Sequence, residues 1–192
     1  MSDNPASKQL VRRVKAGDTG AFQQLVETYQ HLAFTVAYNI VKSREDAEEI
    51  VSDSFIKVYK NIMQHNEEAK FSSWLYKIVY NTALSRLRKK KLEMFSIDAS
   101  EYEKDYGLST PDGWNNLVSD DQKKFIHKAL ECLPEPDRVV LTLFYLAEEG
   151  LNEISEITKE KKSTVKVRLH RARAKLCDQL SVLLKEEVKL LA

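Results

Sequence analysis

Apolar residues near the C-terminal end of the chain recur at helical spacing. In the segment 163–176 they fall at Val165, Leu169, Ala172 and Leu176, three or four residues apart, and therefore share one side of a helix. A different set of residues lies on the opposite side, namely Ser163, Val167, His170, Arg171 and Ala174. We expect the first side to pack on the protein and the second to face a partner.

A shorter amphipathic segment, Leu151 to Thr158, comes directly before this helix. The residues Lys159 to Lys162 join the two segments, and Ser163 is a plausible N-cap for the second one. A helix, a tight turn and a second helix form the helix-turn-helix pattern of DNA-binding proteins.

Helical periodicity also covers most of the rest of the chain. It predicts an apolar helix between Phe22 and Ile40, a helix from Asp46 to Lys60 with an acidic outer face, and a helix from Phe71 to Lys91 that ends in a basic run. Periodicity resumes at Gln122, and the last helix is expected to continue through residues 177–192, folding back on its own domain.

The segment between Glu93 and Asp121 shows no helical period and carries eight acids against one cation, Lys104. With only five Gly and four Pro among 192 residues, the chain is predicted to be all-α. It is expected to consist of two small helical domains, residues 8–91 and 122–192, joined by a flexible acidic linker over 92–121.

Charge is segregated along the chain, although the net charge is only +1. Residues 159–175 contain eight cations and one acid, and a second basic run covers residues 86–91. Local cationic surfaces of this kind are typical of nucleic-acid contacts, even where the whole chain is almost neutral.

Catalytic and metal sites are not expected. The four His residues form no recognisable ligand or catalytic spacing, and Cys132 and Cys177 lie far apart. We therefore expect no enzyme activity, no metal and no cofactor. An apolar run of about 18 residues, as a membrane helix requires, does not occur, and the N-terminus does not resemble a signal peptide, so we expect a cytoplasmic protein.

Four motifs, in this order, resemble a known family. They are Asp46-Ala47-Glu48-Glu49-Ile50-Val51, then Phe71-Ser72-Ser73-Trp74-Leu75-Tyr76-Lys77-Ile78 ending at Asn81, then Leu133-Pro134 leading to Arg138, and finally Thr164-Val165-Lys166 with Arg168 to Arg173. The chain resembles bacterial RNA polymerase sigma factors of the extracytoplasmic-function type, in the sigma-70 family. The resemblance covers residues 21–91 and 126–176 and implies promoter recognition and DNA melting by the polymerase that the factor joins.

The resemblance implies three sets of contact residues. The helix that begins at Asp46 would dock on the clamp helices of the largest subunit of core RNA polymerase through Asp46, Glu49, Ser52, Asp53 and Ile56. The third helix and the loop before it would capture unstacked bases of the minus-ten element. Aromatic rings such as Trp74 and Tyr76 would support or line this site, and its proposed contacts are Gln64, His65, Asn66, Lys77, Tyr80, Asn81, Arg86 and Arg88.

The recognition helix would read the minus-thirty-five element in the major groove. Its expected DNA contacts are Ser163, Thr164, Lys166, Val167, His170 and Arg171. The resemblance also implies an anti-sigma protein as a partner, in many cases a membrane-bound one.

Two binding alternatives stay open from the residues alone. One is a helix-turn-helix regulator that never acts as a sigma subunit, and the other is an adaptor that binds polymerase without melting promoters. The acidic docking helix and the aromatic, basic track of the first domain speak against the regulator.

Overall fold

A computed structural model of the chain describes residues 5–96 and 120–190, with side chains over 5–92 and 125–185. The chain divides into two compact units, Met1–Leu108 (unit 1) and Ser109–Ala192 (unit 2). All regular structure within the described ranges is helical, which confirms the all-α prediction.

The described part of unit 1, residues 5–96, contains four α-helices. They are α1 (Pro5–Lys15), α2 (Thr19–Val41), α3 (Arg44–Asn61) and α4 (Phe71–Ser96), with a short 3-10 turn at Ile62–Gln64 after α3. Side chains set the helix starts: Asp18 accepts a hydrogen bond from the Ala21 N–H at 3.0 Å, and Ser43 accepts one from the Asp46 N–H at 3.2 Å. Lys42 ends α2 in the left-handed conformation, with φ of 56°.

The core of unit 1 lies between α2, α3 and α4, and α1 packs against α2. Leu25, Val58 and Leu75 are fully buried there, as the apolar periodicity of each helix predicts. Trp74 is half-buried, whereas Tyr76 is buried at 1% exposure. Tyr76 is therefore a core residue, and the prediction that its ring offers a platform to bases is wrong.

Unit 2 contains α5 (Asp120–Glu131), α6 (Glu135–Leu141), a π-helical turn (Thr142–Leu146), α7 (Leu151–Thr158) and α8 (Lys162–Leu190). The turn between α7 and α8 confirms the helix-turn-helix, and Lys159 adopts the left-handed conformation, with φ of 59°. The Lys161 carbonyl accepts the first bond of α8 from the Val165 N–H. Ser163 thus lies inside the first turn of α8 and is not its N-cap.

The helices on both sides extend into the range 92–121 that was predicted as linker. Helix α4 continues to Ser96, where Leu92, Glu93 and Met94 are good helix formers, and α5 begins at Asp120. The acidic segment between these helices lies outside the described residues. The last helix, α8, continues from Lys162 through residues 163–176 to Leu190 without a break.

Candidate nucleic-acid and partner interfaces

The outer face of α3 presents acidic and apolar side chains together. Glu49, Ser52, Asp53 and Ile56 are all exposed and share one side of the helix at three- and four-residue spacing, as predicted. Ile56 is 49% exposed, and the surface continues through Tyr59 and Met63, at 48% and 69%. Sequence reasoning missed these last two residues, although an apolar residue on the outer side of an acidic helix is a usable signal.

Asp46 does not belong to this exposed face. It is 6% exposed, accepts a hydrogen bond from Arg86 Nε at 3.1 Å and is also bound by Lys90. Burial by itself raises the pKa of Asp46, but the hydrogen bonds from Lys90 and Arg86 outweigh burial and hold this pKa below its usual value. The prediction that Asp46 contacts a partner is therefore wrong in this structure. Its spacing of four residues from buried Ile50 could have indicated this.

The same ion pairs change the interpretation of the basic run at the end of α4. Arg86 binds both Asp46 and Glu49, so its guanidinium faces α3. Arg88, two residues further on, is exposed and lies on the side of α4 that carries Asn81. The predicted DNA-binding role therefore fits Arg88 better than Arg86, which is held inside unit 1.

A groove of about 430 Å³ lies between α3 and α4, and we call it the α3–α4 groove. Its lining residues are Lys57, Asn61, Gln64, Trp74, Ile78, Asn81, Thr82 and Ser85. Lys57 Nζ donates to Thr82 Oγ1 at 2.9 Å and so joins the two walls. The groove brings together the predicted Gln64 and Asn81, and it adds Lys57, Asn61 and Thr82, which the sequence did not indicate.

Three predicted side chains near this groove behave differently from one another. His65 is 5% exposed, and its ring centroid lies 4.9 Å from that of Trp74, so it supports the groove wall and does not form its rim. Asn66 is exposed, and its Oδ1 accepts the Glu68 N–H at 3.0 Å, which shapes the loop. Lys77 and Tyr80 are half-buried on α4.

The buried and exposed faces of α8 agree with the sequence pattern. Val165, Leu169 and Ala172 are buried at 0%, 4% and 0% exposure. The predicted DNA contacts are all exposed: Ser163, Thr164, Lys166, Val167, His170 and Arg171. An exposed basic face on the second helix of a helix-turn-helix can enter the major groove of a duplex.

An acid–base network borders this face. Glu160, in the turn, accepts hydrogen bonds from Arg168 Nε and Nη2 at 3.1 and 2.6 Å, and buried Asp137 accepts one from Lys175 Nζ at 2.6 Å. The hydrogen bond to Glu160 raises the pKa of Arg168 above its ordinary value. Two cations of the 159–175 segment are thus bound by carboxylates of unit 2. Sequence reasoning missed this pairing because Asp137 lies on a separate helix.

A groove of about 450 Å³ lies beside the network and includes Ser163, Thr164 and Arg171 in its walls. Hydroxyl and guanidinium groups arranged in this way can hold a phosphate of the DNA backbone. Among the side chains described, over residues 5–92 and 125–185, His, Cys, Asp and Glu form no group of three that could hold a metal ion. Within the described parts of the chain, every helix is too short or too polar to cross a membrane.

Comparison with known families gives two matches along the chain. The family described as Sigma-70 region 2 matches residues 25–93, and Sigma-70 region 4 matches residues 126–176. The first match covers α3, α4 and the α3–α4 groove, and the second covers the helix-turn-helix.

Comparison with individual proteins also finds sigma factors. The chain is 34% identical over 179 residues to the ECF RNA polymerase sigma factor SigW of Bacillus subtilis (strain 168), covering 90% of this chain and 96% of that protein. It is 31% identical over 193 residues to the ECF RNA polymerase sigma-E factor of Escherichia coli (strain K12), covering 96% of this chain and all of that protein. The fold is similar to that of the sigma factor RpoE in complex with the anti-sigma factor NepR from Bartonella quintana, with a TM-score of 0.71, 22% identity, and coverage of 84% of this chain and 97% of that one.

Proposed function

The chain belongs to the extracytoplasmic-function RNA polymerase sigma factors of the sigma-70 family, and on that premise we propose how its two units act. It is a sigma factor, which binds core bacterial RNA polymerase, directs it to specific promoters and promotes DNA melting at the start of transcription. The roles of individual residues below are our proposal.

Helix α3 docks on core polymerase through its exposed face. Glu49, Ser52, Asp53 and Ile56 contact the clamp helices of the largest subunit, with carboxylates meeting cationic groups and Ile56 meeting apolar ones. Complementary charge raises the association rate and fixes the register of the two surfaces. Asp46 acts from inside unit 1, where it holds the end of α4 against the start of α3.

The α3–α4 groove captures bases of the melted non-template strand, and this groove is the observation that carries the proposal. It combines an aromatic side chain, Trp74, with the amides of Gln64 and Asn81 and the ammonium of Lys57. Those groups suit a flipped base, which stacks on a ring and bonds through its edge. Lys77 and Arg88 lie on the groove side of α4, where they can bind phosphates, and Tyr80 offers a further ring.

Helix α8 reads the upstream promoter element as a duplex. Lys166, Val167, His170 and Arg171 face the major groove, where Lys166 and Arg171 also bind phosphates, while Ser163 and Thr164 hold a phosphate beside the start of the helix. Each unit binds DNA weakly by itself, because attachment to one polymerase raises the effective concentration of both.

The remaining roles follow from the family. The sigma factor family is not a class of enzymes, and we assign the bond-forming chemistry of RNA synthesis to the polymerase. The factor acts in the cytoplasm, where core polymerase and promoter DNA meet, and an anti-sigma protein holds it inactive by covering these surfaces. A stand-alone helix-turn-helix regulator is not favoured, because the Sigma-70 region 2 match over residues 25–93 supports a sigma factor.

Run-off transcription tests the proposal. Purified core polymerase and fragmented genomic DNA are incubated with and without the full chain, and the transcripts are mapped. Discrete new transcripts that share two spaced upstream elements support it. Firm polymerase binding without transcripts would favour an adaptor, and the absence of both would favour a regulator.

A further inference from the structure

Helix α1 reaches the loop that precedes α4. Lys15 Nζ donates a hydrogen bond to the His65 carbonyl at 2.8 Å, and it lies 3.5 Å from Glu67 Oε1. Arg12 Nε donates to Glu67 Oε2 at 2.8 Å. Two cations of α1, 50 or more residues away in sequence, therefore bind the backbone and a carboxylate of one short loop, residues 65–70.

This loop is continuous with the wall of the α3–α4 groove. Gln64, which lines the groove, comes directly before His65, and the His65 ring packs on Trp74, which lines it too. A displacement of the His65 backbone would move both neighbours. What holds the His65 carbonyl therefore contributes to the position of the groove wall, beside the packing of the His65 ring.

The two α1 contacts differ in shielding. The Lys15 side chain is 19% exposed, and its partner is the carbonyl of a buried residue, so water competes poorly for this bond. The Arg12 and Glu67 side chains are 68% and 39% exposed, and pairs of this kind contribute little. Lys15 is therefore the main attachment, and Arg12 supports it.

Helix α1 is itself well anchored. Val11 and Val14 are buried at 1% and 5% exposure, and Ser7 Oγ lies 2.7 Å from the Tyr29 hydroxyl of α2. Lys15 is thus held on a fixed support. It lies outside residues 25–93, which the region 2 family matches.

We propose that Lys15, supported by Arg12, is a positioning residue for base capture: it fixes the 65–70 loop and thereby the groove that discriminates minus-ten bases. This inference rests on the proposed role of the α3–α4 groove. Lys15 does not touch DNA. Its loss lowers the preference for the correct bases while affinity for core polymerase is retained.

The test compares Lys15→Met with the wild type as holoenzyme, each full chain being bound to core polymerase. Met keeps most of the aliphatic stem but removes the ammonium donor. The probes are two fluorescent single-stranded oligonucleotides: the non-template minus-ten strand of a promoter mapped by run-off transcription, and a scrambled strand of equal composition. Anisotropy gives the ratio of the two dissociation constants.

We expect the wild type to prefer the promoter strand. In Lys15→Met the ratio of the two dissociation constants should fall about tenfold, because a tenfold change corresponds to the free energy of one charge-assisted hydrogen bond. Lys15→Arg should retain most of it, because the guanidinium also donates to a carbonyl. Arg13→Met is the matched control: Arg13 lies on α1 but binds Asp18, 2.9 Å from its Nε, and should change nothing.

A charge exchange keeps the test decisive if Lys15→Met fails to fold. Arg12→Glu should lower the preference about twofold, as the loss of an exposed pair does, and adding Glu67→Arg should restore part of it, because Glu67 also lies 3.5 Å from Lys15 Nζ. Two results with a selective wild type would overturn the positioning role alone. One is a preference that survives in Lys15→Met. The other is that adding Glu67→Arg recovers none of the preference lost in Arg12→Glu. A wild-type holoenzyme without preference would instead overturn the proposed groove function, and with it this inference.

Discussion

Replacing Asp46 with Asn tests the ion pairs that join the start of α3 to the end of α4. Asn keeps the shape of the side chain but removes its charge, so Arg86 and Lys90 lose a carboxylate partner that is only 6% exposed. Shielded charge-assisted hydrogen bonds contribute about 1.5–3 kcal/mol each. The Arg86 and Lys90 side chains are 29% and 50% exposed, so solvent screens both bonds, and we expect a total loss of about 2 kcal/mol.

The free energy of unfolding of unit 1 is the quantity to measure. The chain has two Trp residues, so a Trp114→Phe background leaves Trp74, which is half-buried beside His65, as the fluorescent reporter. Urea titration then compares Asp46→Asn with its parent at pH 7. Glu48→Gln is the control, because Glu48 pairs with Arg44 on the exposed side of the same helix and its loss should cost less than about 0.5 kcal/mol.

The pH dependence gives an independent check. The pKa of Asp46 is lower in the folded chain than its ordinary value of 3.8, so the folded state favours the charged form. The stabilisation is therefore present above about pH 4 and is lost as the pH falls through the folded pKa. We expect the difference between parent and Asp46→Asn to narrow below about pH 4. A cost at pH 7 no larger than that of Glu48→Gln would refute the reasoning.

Three further predictions concern the binding faces and the turn of the helix-turn-helix. Reversing the charge of Glu49 and Asp53 with Lys should weaken the affinity for core polymerase more than tenfold, measured by fluorescence titration, while duplex binding by unit 2 stays unchanged. Alanine at Lys166 and Arg171 should reduce the slope of log affinity against log salt for the upstream duplex by about 1.8; an unaltered slope would remove both from the phosphate contacts. Glu160→Gln weakens the bidentate ion pair that Glu160 forms with Arg168 on α8. Both side chains are about one quarter exposed, so we expect the free energy of unfolding of unit 2 to fall by about 1 kcal/mol, measured by thermal unfolding.

Periodicity determined the helices that follow α1 and their exposed faces, whereas α1 itself was not predicted. Val165, Leu169 and Ala172 are buried and Lys166, His170 and Arg171 are exposed, because a helix with one apolar stripe has only one side on which it can pack. The same reasoning placed Glu49, Ser52, Asp53 and Ile56 outside on α3. Both proposed binding faces follow from local sequence, since each one lies within a single helix.

Pairing between helices could not be predicted in this way. Asp46 and His65 were expected at surfaces and lie buried, and Arg86 was expected on DNA and binds Asp46 across 40 residues of sequence. Spacing along one helix gives the direction in which a side chain points, but it does not give the position along that helix at which a second helix crosses.

The α3–α4 groove and its attachment to α1 show the same division. Sequence determined that Gln64, Trp74 and Asn81 are available, because polar and aromatic residues stand near the start of a predicted helix. Only the tertiary structure placed Lys57 and Thr82 on facing walls, and Lys15 beneath the His65 carbonyl. The sequence by itself therefore determined most of the helices, their faces and the family, whereas the packing of α1, α3 and α4 decided which side chains meet, because such contacts depend on helix crossing geometry.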